Sequence, residues 1–138
     1  MRVLVDTNIL LDVFLQRDEF LPESTDIWLA NEQGLFEGYI SAMTPVNIYY
    51  IARKTLQDKD DARNLVSQIL NLFHICALTK AELQNALSLP FADYEDAVQT
   101  ASALMENLDA IVTRNKNDFA RATIPVYSPA EFLLLLLK

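Results

Sequence analysis

The chain has 138 residues, 51% of them hydrophobic, which suffices to bury a core and asks for no second domain, so one domain over residues 1–138 is expected. Eleven basic residues against nineteen acidic ones leave a net charge of −8, the wrong sign for holding nucleic acid through a broad phosphate footprint. An RNA-directed role would need that field offset by a divalent cation or a basic partner segment, whereas the plainer reading is that the charge keeps a small protein soluble.

Taken in chain order, Arg2 to Val5 is a short apolar run closing on Asp6, the pattern of a central parallel strand with a polar group at its carboxyl end. A helix over Ile9–Leu15 and another over Glu23–Asn31, stopped by Gly34, lead to a strand at Glu37–Ser41. Thr44 followed by Pro45 reads as a hydroxyl cap and first-turn proline for a helix through Leu56. Asp60–Leu72 repeats the helical period, with Ala62, Leu65, Val66, Ile69 and Leu70 on one face.

A third strand is expected at Phe73–Leu78, then a helix from the cap Thr79 through Leu89, a break at Pro90, and a helix from Asp93 to about Leu108. Ala110–Thr113 and Ile124–Tyr127 are the remaining strands, and Ser128, Pro129 and Glu131 form a capping box that opens a terminal helix over Ala130–Leu137. Alternating strands and helices predict an α/β fold, a three-layer, doubly wound parallel sheet flanked by helices, with its site beyond the carboxyl ends of the strands where strand order reverses. The chain has no linker-like or low-complexity stretch. Its longest apolar run, Phe132 to Leu137, falls far short of the roughly 20 residues that span a bilayer. With the lone Cys76 unable to form an internal disulfide, a cytoplasmic protein without membrane contact is expected.

Three clusters can carry chemistry. Asp6, Thr7 and Asn8 stand at the end of the first strand, although Asp6 or Thr7 serves equally as a helix cap. Asp93-Tyr94-Glu95-Asp96 opens a helix; a cap and first-turn acids explain it, except that Asp96, beside small Ala97, is placed to turn inward. Thr113, Arg114, Asn115 and Asp118 deliver hydroxyl, guanidinium, amide and carboxylate just past one strand, with Phe119 expected to plug that loop into the core. Acids brought together from separate elements repel unless protonated or neutralised by a cation, and hard oxygen donors select Mg²⁺ or Mn²⁺ over zinc. His74 has no Cys or His partner at metal spacing and reads as structural.

These residues resemble the PIN-domain nucleases, including the VapC-type toxins of toxin–antitoxin pairs. Val3 through Asp12 is similar to the family's opening strand and first acid, and Ile40 through Thr44 to the exit of its second strand. Asp93 through Ala97 is similar to its third acidic motif, and Val112 through Phe119 to the fourth. The resemblance spans almost the whole chain. It implies a Mg²⁺- or Mn²⁺-dependent endoribonuclease in which Asp6, Asp96 and Asp118 serve the metal. Thr7, Asn8, Asp93, Thr113 and Asn115 would support the metal or substrate, and Arg114 either touches phosphate or sits in a salt bridge. The implied partners are RNA, a small antitoxin with a basic tail, and a second copy of the chain as homodimer.

One position departs from the pattern: many members carry a glutamate six residues after the serine that ends the second strand, and this chain has Asn47. An amide ligates without charge, so the alternative is a catalytically weakened PIN domain that binds RNA or a protein, with Glu95 or Asp93 available to compensate. A phosphotransfer domain, whose aspartate also follows the first strand, is disfavoured because Asp6-Thr7-Asn8 shows neither an acidic pair nor an Asp-x-Asp.

Overall fold

The computed structural model describes all 138 residues. Five parallel strands form one sheet: β1 (Arg2–Val5), β2 (Glu37–Ser41), β3 (His74–Cys76), β4 (Ala110–Val112) and β5 (Val126–Tyr127). Their spatial order is β3-β2-β1-β4-β5. The chain steps outward from β1 to β3, then returns to the other side of β1, so strand order reverses between β1 and β4. That reversal places a crevice over their carboxyl ends. The register pairs Val5 with Val112, which sets Asp6 beside Thr113.

Seven α-helices connect the strands: α1 (Thr7–Phe14), α2 (Leu21–Glu32), α3 (Met43–Leu56), α4 (Lys59–Leu72), α5 (Lys80–Ser88), α6 (Tyr94–Met105) and α7 (Pro129–Leu136). The period of two along β1 assigns its side chains to opposite faces. Val3 and Val5 pack with Ile9, Leu10, Ile27, Ile48, Ile69 and Phe132, from α1 to α4 and α7. Leu4 faces the other way, toward Cys76, Ala103, Ile111 and Phe119, and α5 packs on α6 through Ala86, Ala97, Val98 and Ala101. Both faces of the sheet are therefore covered, which is why Val3–Val5 of β1 and all of β4 are apolar. Gly38 in β2 admits the close approach of Asn31, whose Oδ1 accepts from the Gly38 N–H at 2.8 Å; a Cβ there would meet that oxygen at 2.7 Å.

Capping boxes start α5 at Thr79, expected as a simple cap, and α7 at Ser128, as its sequence predicts. The start of α3 differs. Its N-cap is Ala42, and Thr44 lies inside the first turn with its hydroxyl 2.8 Å from that of Thr7. The hydroxyl bond across to α1 replaces the local cap. β3 and β5, at the sheet edges, are shorter than expected because each pairs on one side only. No helix is long and apolar enough to cross a membrane.

Candidate active site

Asp6 occupies the N-cap position of α1, yet its side chain caps nothing. Its carboxylate is buried, 3% exposed, and both oxygens are met, one from α6 and one from the end of β4: Gln99 Nε2 donates to Oδ1 at 3.0 Å and Thr113 Oγ1 to Oδ2 at 2.8 Å. Thr113 is itself fixed, because its hydroxyl accepts from the Asn115 N–H at 3.1 Å. All of these donors are neutral. Burial therefore pushes the Asp6 carboxyl above the usual range, against the smaller opposing pull of those hydrogen bonds.

A cleft of about 460 Å³ opens in front of Asp6. The acids Asp6, Asp93, Glu95, Asp96 and Asp118 line it, with no Lys, Arg or His among the lining residues. Asp93 caps α6 through the Asp96 N–H at 3.0 Å, so the ordinary reading of Asp93 holds, and the helix it starts carries Asp96 into the cleft. The Asp96 carboxyl is pushed up to about 7, first by burial and then by the charges of Asp93, Asp6, Asp118 and Glu95. Glu95 is raised as well, by burial and then by Asp93 and Asp6. Asp118 arrives on a short 3-10 turn, Lys116–Phe119. Buried Phe119 anchors that turn edge-on against Phe91 at 6.0 Å, in the loop that leads to Asp93.

Thr7, Asn8, Asn47 and Asn115 also line the cleft. Asn47 donates its amide to Glu95 Oε1. Arg114 does not reach the cleft. Its Nε donates to Asp12 Oδ2 at 3.0 Å, and its guanidinium lies 3.9 Å over the Phe20 ring, so the salt-bridge reading of this residue prevails. His74 stacks on Tyr39, and the Cys76 thiol is buried and pushed up to about 12, which leaves it unreactive.

Two residues of this region escape the sequence reading. Gln99 is the direct partner of Asp6; its one sequence signal is an amide three positions after Asp96 on a helix whose other buried residues are Ala, Val, Thr and Ser. Asp12, fully buried, binds Arg114, Arg17 and Ser24. Its partner Arg114 is 102 residues away, beyond any local pattern.

The donor set is hard: carboxylate and amide oxygens without thiolate or imidazole. It suits a divalent cation of the Mg²⁺ or Mn²⁺ type, which would also relieve the mutual repulsion that raises Asp96. The fit is one of donor chemistry and charge. The carboxylates ring the cleft, and no three of them stand close enough together to form a ligand set of their own.

Comparison with known proteins gives consistent matches. The family model for the PIN domain matches residues 2–117. "Ribonuclease VapC1" of Aquifex aeolicus (strain VF5) is 29% identical over 139 residues, covering 95% of this chain and 92% of that protein. Among solved structures, a toxin-antitoxin complex from Klebsiella pneumoniae contains a chain 28% identical, with a TM-score of 0.68 over 92% of this chain and 97% of that one. VapBC2 from Rickettsia felis, bound to a DNA fragment from its promoter, superposes with a TM-score of 0.70 over 93% of this chain and 98% of that one. At 16% identity the latter is a likeness of fold.

Proposed function

The chain belongs to the PIN-domain family, and from that premise we propose that it is a Mg²⁺- or Mn²⁺-dependent endoribonuclease, the toxin of a toxin–antitoxin pair. The observation that carries this reading is the state of Asp6, a buried carboxylate given only neutral donors and turned toward an acid-lined cleft. A buried charge without a cationic partner is costly, and a site that bears this cost is built to meet a cation from outside. The relative's name, a ribonuclease, and the toxin-antitoxin complex from Klebsiella pneumoniae support the substrate and the biological setting.

On this reading Asp6 and Asp96 hold the ion, and Asp118 holds it or its waters. Bound there, Mg²⁺ or Mn²⁺ supplies a water acidified to near neutral pH and charge stabilisation at the scissile phosphate. Gln99 and Thr113 fix both oxygens of Asp6 so that the carboxylate need not reorganise on binding. Asn115 holds Thr113 in turn, and the Thr7–Thr44 bond ties α1 to α3 beneath the cleft. Asp96, whose carboxyl burial and acidic neighbours push up to about 7, would hold the ion as the carboxylate.

Acidic walls also suit the basic tail of an antitoxin, and a homodimer is part of the same proposal. The second reading, a domain that binds RNA or protein without cutting, rests on Asn47, which brings an amide where a carboxylate would add charge. Mn²⁺ titration by calorimetry and cleavage of a mixed RNA pool separate the two. Binding at sub-millimolar metal, with cleavage that needs the metal and is lost in Asp6→Asn and Asp96→Asn, is expected. No binding at millimolar Mn²⁺ would sink the nuclease.

A further inference from the structure

Two guanidiniums share one buried carboxylate beside the cleft. Asp12 Oδ2 accepts from Arg114 Nε and from Ser24 Oγ at 3.0 Å each, so Arg114 alone neutralises Asp12. Arg17 is a second cation on an acid that is already paired. Its Nη1 lies 3.4 Å from both Asp12 Oδ1 and Asn8 Oδ1, longer than the ~2.9 Å of a well-formed bond. Asp18 and Glu19, next along the chain, are exposed and pair with neither arginine. One positive charge is left over.

That charge is accessible and held in place. The Arg17 side chain is 34% exposed against 18% for Arg114, and neither guanidinium has a nitrogen buried without a partner, so the uncommitted N–H groups of Arg17 open to solvent. Gln16 takes a left-handed φ of 50°, which costs a residue with a side chain about 1 kcal/mol. The turn it makes lets the Arg17 N–H donate to Asp12 O at 3.1 Å, folding the arginine back onto α1. Asn8, which Arg17 touches, lines the cleft. The surplus charge therefore stands at the rim, on the α1 side, while Asp93, Glu95 and Asp96 stand at the start of α6.

A chain of net charge −8 with acids around its cleft repels the polyanion it is read as cutting. A metal ion offsets that repulsion at the scissile phosphate alone. We propose that Arg17 binds a phosphate of the RNA strand flanking the scissile one, and that Arg114, by neutralising Asp12, leaves it free to do so. The proposal rests on the ribonuclease reading above. Arg17 stands just outside the cleft lining, which is why its phosphate is a flanking one. The planar guanidinium grips phosphate through two parallel N–H groups, and only weak contacts are given up in exchange. The phosphate role that the sequence offers Arg114 passes to Arg17.

The test is steady-state cleavage of a mixed RNA pool by the full chain at saturating Mn²⁺, over a series of KCl concentrations, with thermal melting as the folding control. Arg17→Gln is expected to lower kcat/KM about tenfold through KM, with kcat within about threefold, because the contact is remote from the reacting atoms. The plot of log kcat/KM against log salt should become shallower by about 0.7, the share of one phosphate on a single strand. Arg17→Lys should keep the slope and raise KM about threefold, since a point charge replaces the fork. Lys138→Gln, which removes one charge at the C-terminus, should change neither quantity. A loss of kcat at unchanged KM in Arg17→Gln would mean that Arg17 acts only through Asp12, and would overturn the assignment. So would an equal change of slope in Lys138→Gln, which would make the effect one of net charge. Should Arg17→Gln lower the melting temperature, Arg17→Lys carries the test, and a KM equal to that of the original chain would overturn the assignment. These outcomes leave the nuclease reading intact, whereas failure of the unmodified chain to cleave RNA with Mn²⁺ would overturn both.

Discussion

Asp6 and Asp12 lie six residues apart, and both are buried, at 3% and 0% exposure. Their surroundings are opposite. Asp12 Oδ2 accepts from Arg114 Nε and Ser24 Oγ at 3.0 Å each, and Oδ1 lies 3.4 Å from Arg17. Asp6 has an amide and a hydroxyl for partners, and its neighbours across the cleft are acids. Where an acid serves the fold, the chain brings a cation to it from within. Where, on the proposed reading, it serves chemistry, the positive charge is left to be supplied. The pair therefore allows structural and functional carboxylates to be told apart by their donors, since burial alone treats them alike.

The same substitution at both positions should break this symmetry in opposite ways. Asp6→Asn is expected to lower metal-dependent RNA cleavage by at least about a thousandfold, or ~4 kcal/mol. The fold should be unharmed. The new amide could keep Gln99 as donor to its oxygen and give its own N–H to Thr113 Oγ1, and burial disfavours charge at this site in any case. Urea unfolding would show a midpoint equal to or above that of the original chain. A fall in stability matching the fall in activity would mean that Asp6 is structural.

Asp12→Asn is the converse. It leaves Arg114 and Arg17 without their counter-charge and turns an amide N–H toward donors, which should cost about 3 kcal/mol of unfolding free energy, the lower part of the range for a broken buried pair, since Arg17 is partly exposed. Arg114 lies between Thr113 and Asn115, so some cleavage should be lost too, but far less than with Asp6→Asn. A change of under about 0.5 kcal/mol would show the network to be no more than a surface pair.

How much of this was legible in the sequence follows the range of each signal. β1 ending on Asp6, the capped starts of α5, α6 and α7, and Phe119 as a plug are local patterns, and they stand as read. The doubly wound parallel sheet follows from alternation, and with it the gathering of three separated clusters around one cleft, whereas the strand order comes from the structure. Thr44 misled because a hydroxyl before proline reads as a cap, while its partner, Thr7, lies 37 residues away. Gln99 was hidden for a related reason: one amide among the small buried residues of α6 has no meaning until β1 is placed against it. Whether Arg114 met phosphate or a carboxylate depended on Asp12, whose burial only the packing of α1 on α2 decides.

The smallest expected effect sharpens the comparison most, because it reads the unneutralised charge directly. Asp96 is pushed up to about 7 by burial and by its acidic neighbours, and Asp6 and Glu95 shift in the same direction. A raised pKa means that the folded chain holds the proton more tightly than the unfolded one. The stability this lends is complete below the ordinary carboxylate pKa and is lost as pH rises through about 7 for Asp96. Glu131, held down to about 2, titrates below that window and does not mask it. In EDTA the melting temperature should therefore decline between about pH 5 and 8. Discounted for the partial exposure of Asp96, the change is on the order of 1 kcal/mol, or about 3–5 °C for a chain of this size. Asp96→Asn should flatten the decline by raising the melting temperature at pH 8 and leaving it nearly unchanged at pH 5. Saturating Mn²⁺ should do the same in the unmodified chain. A melting temperature that rises toward pH 8, or a decline that Asp96→Asn leaves intact, would mean that the acids of the cleft do not share one field, and the contrast with the internally neutralised Asp12 would then fail.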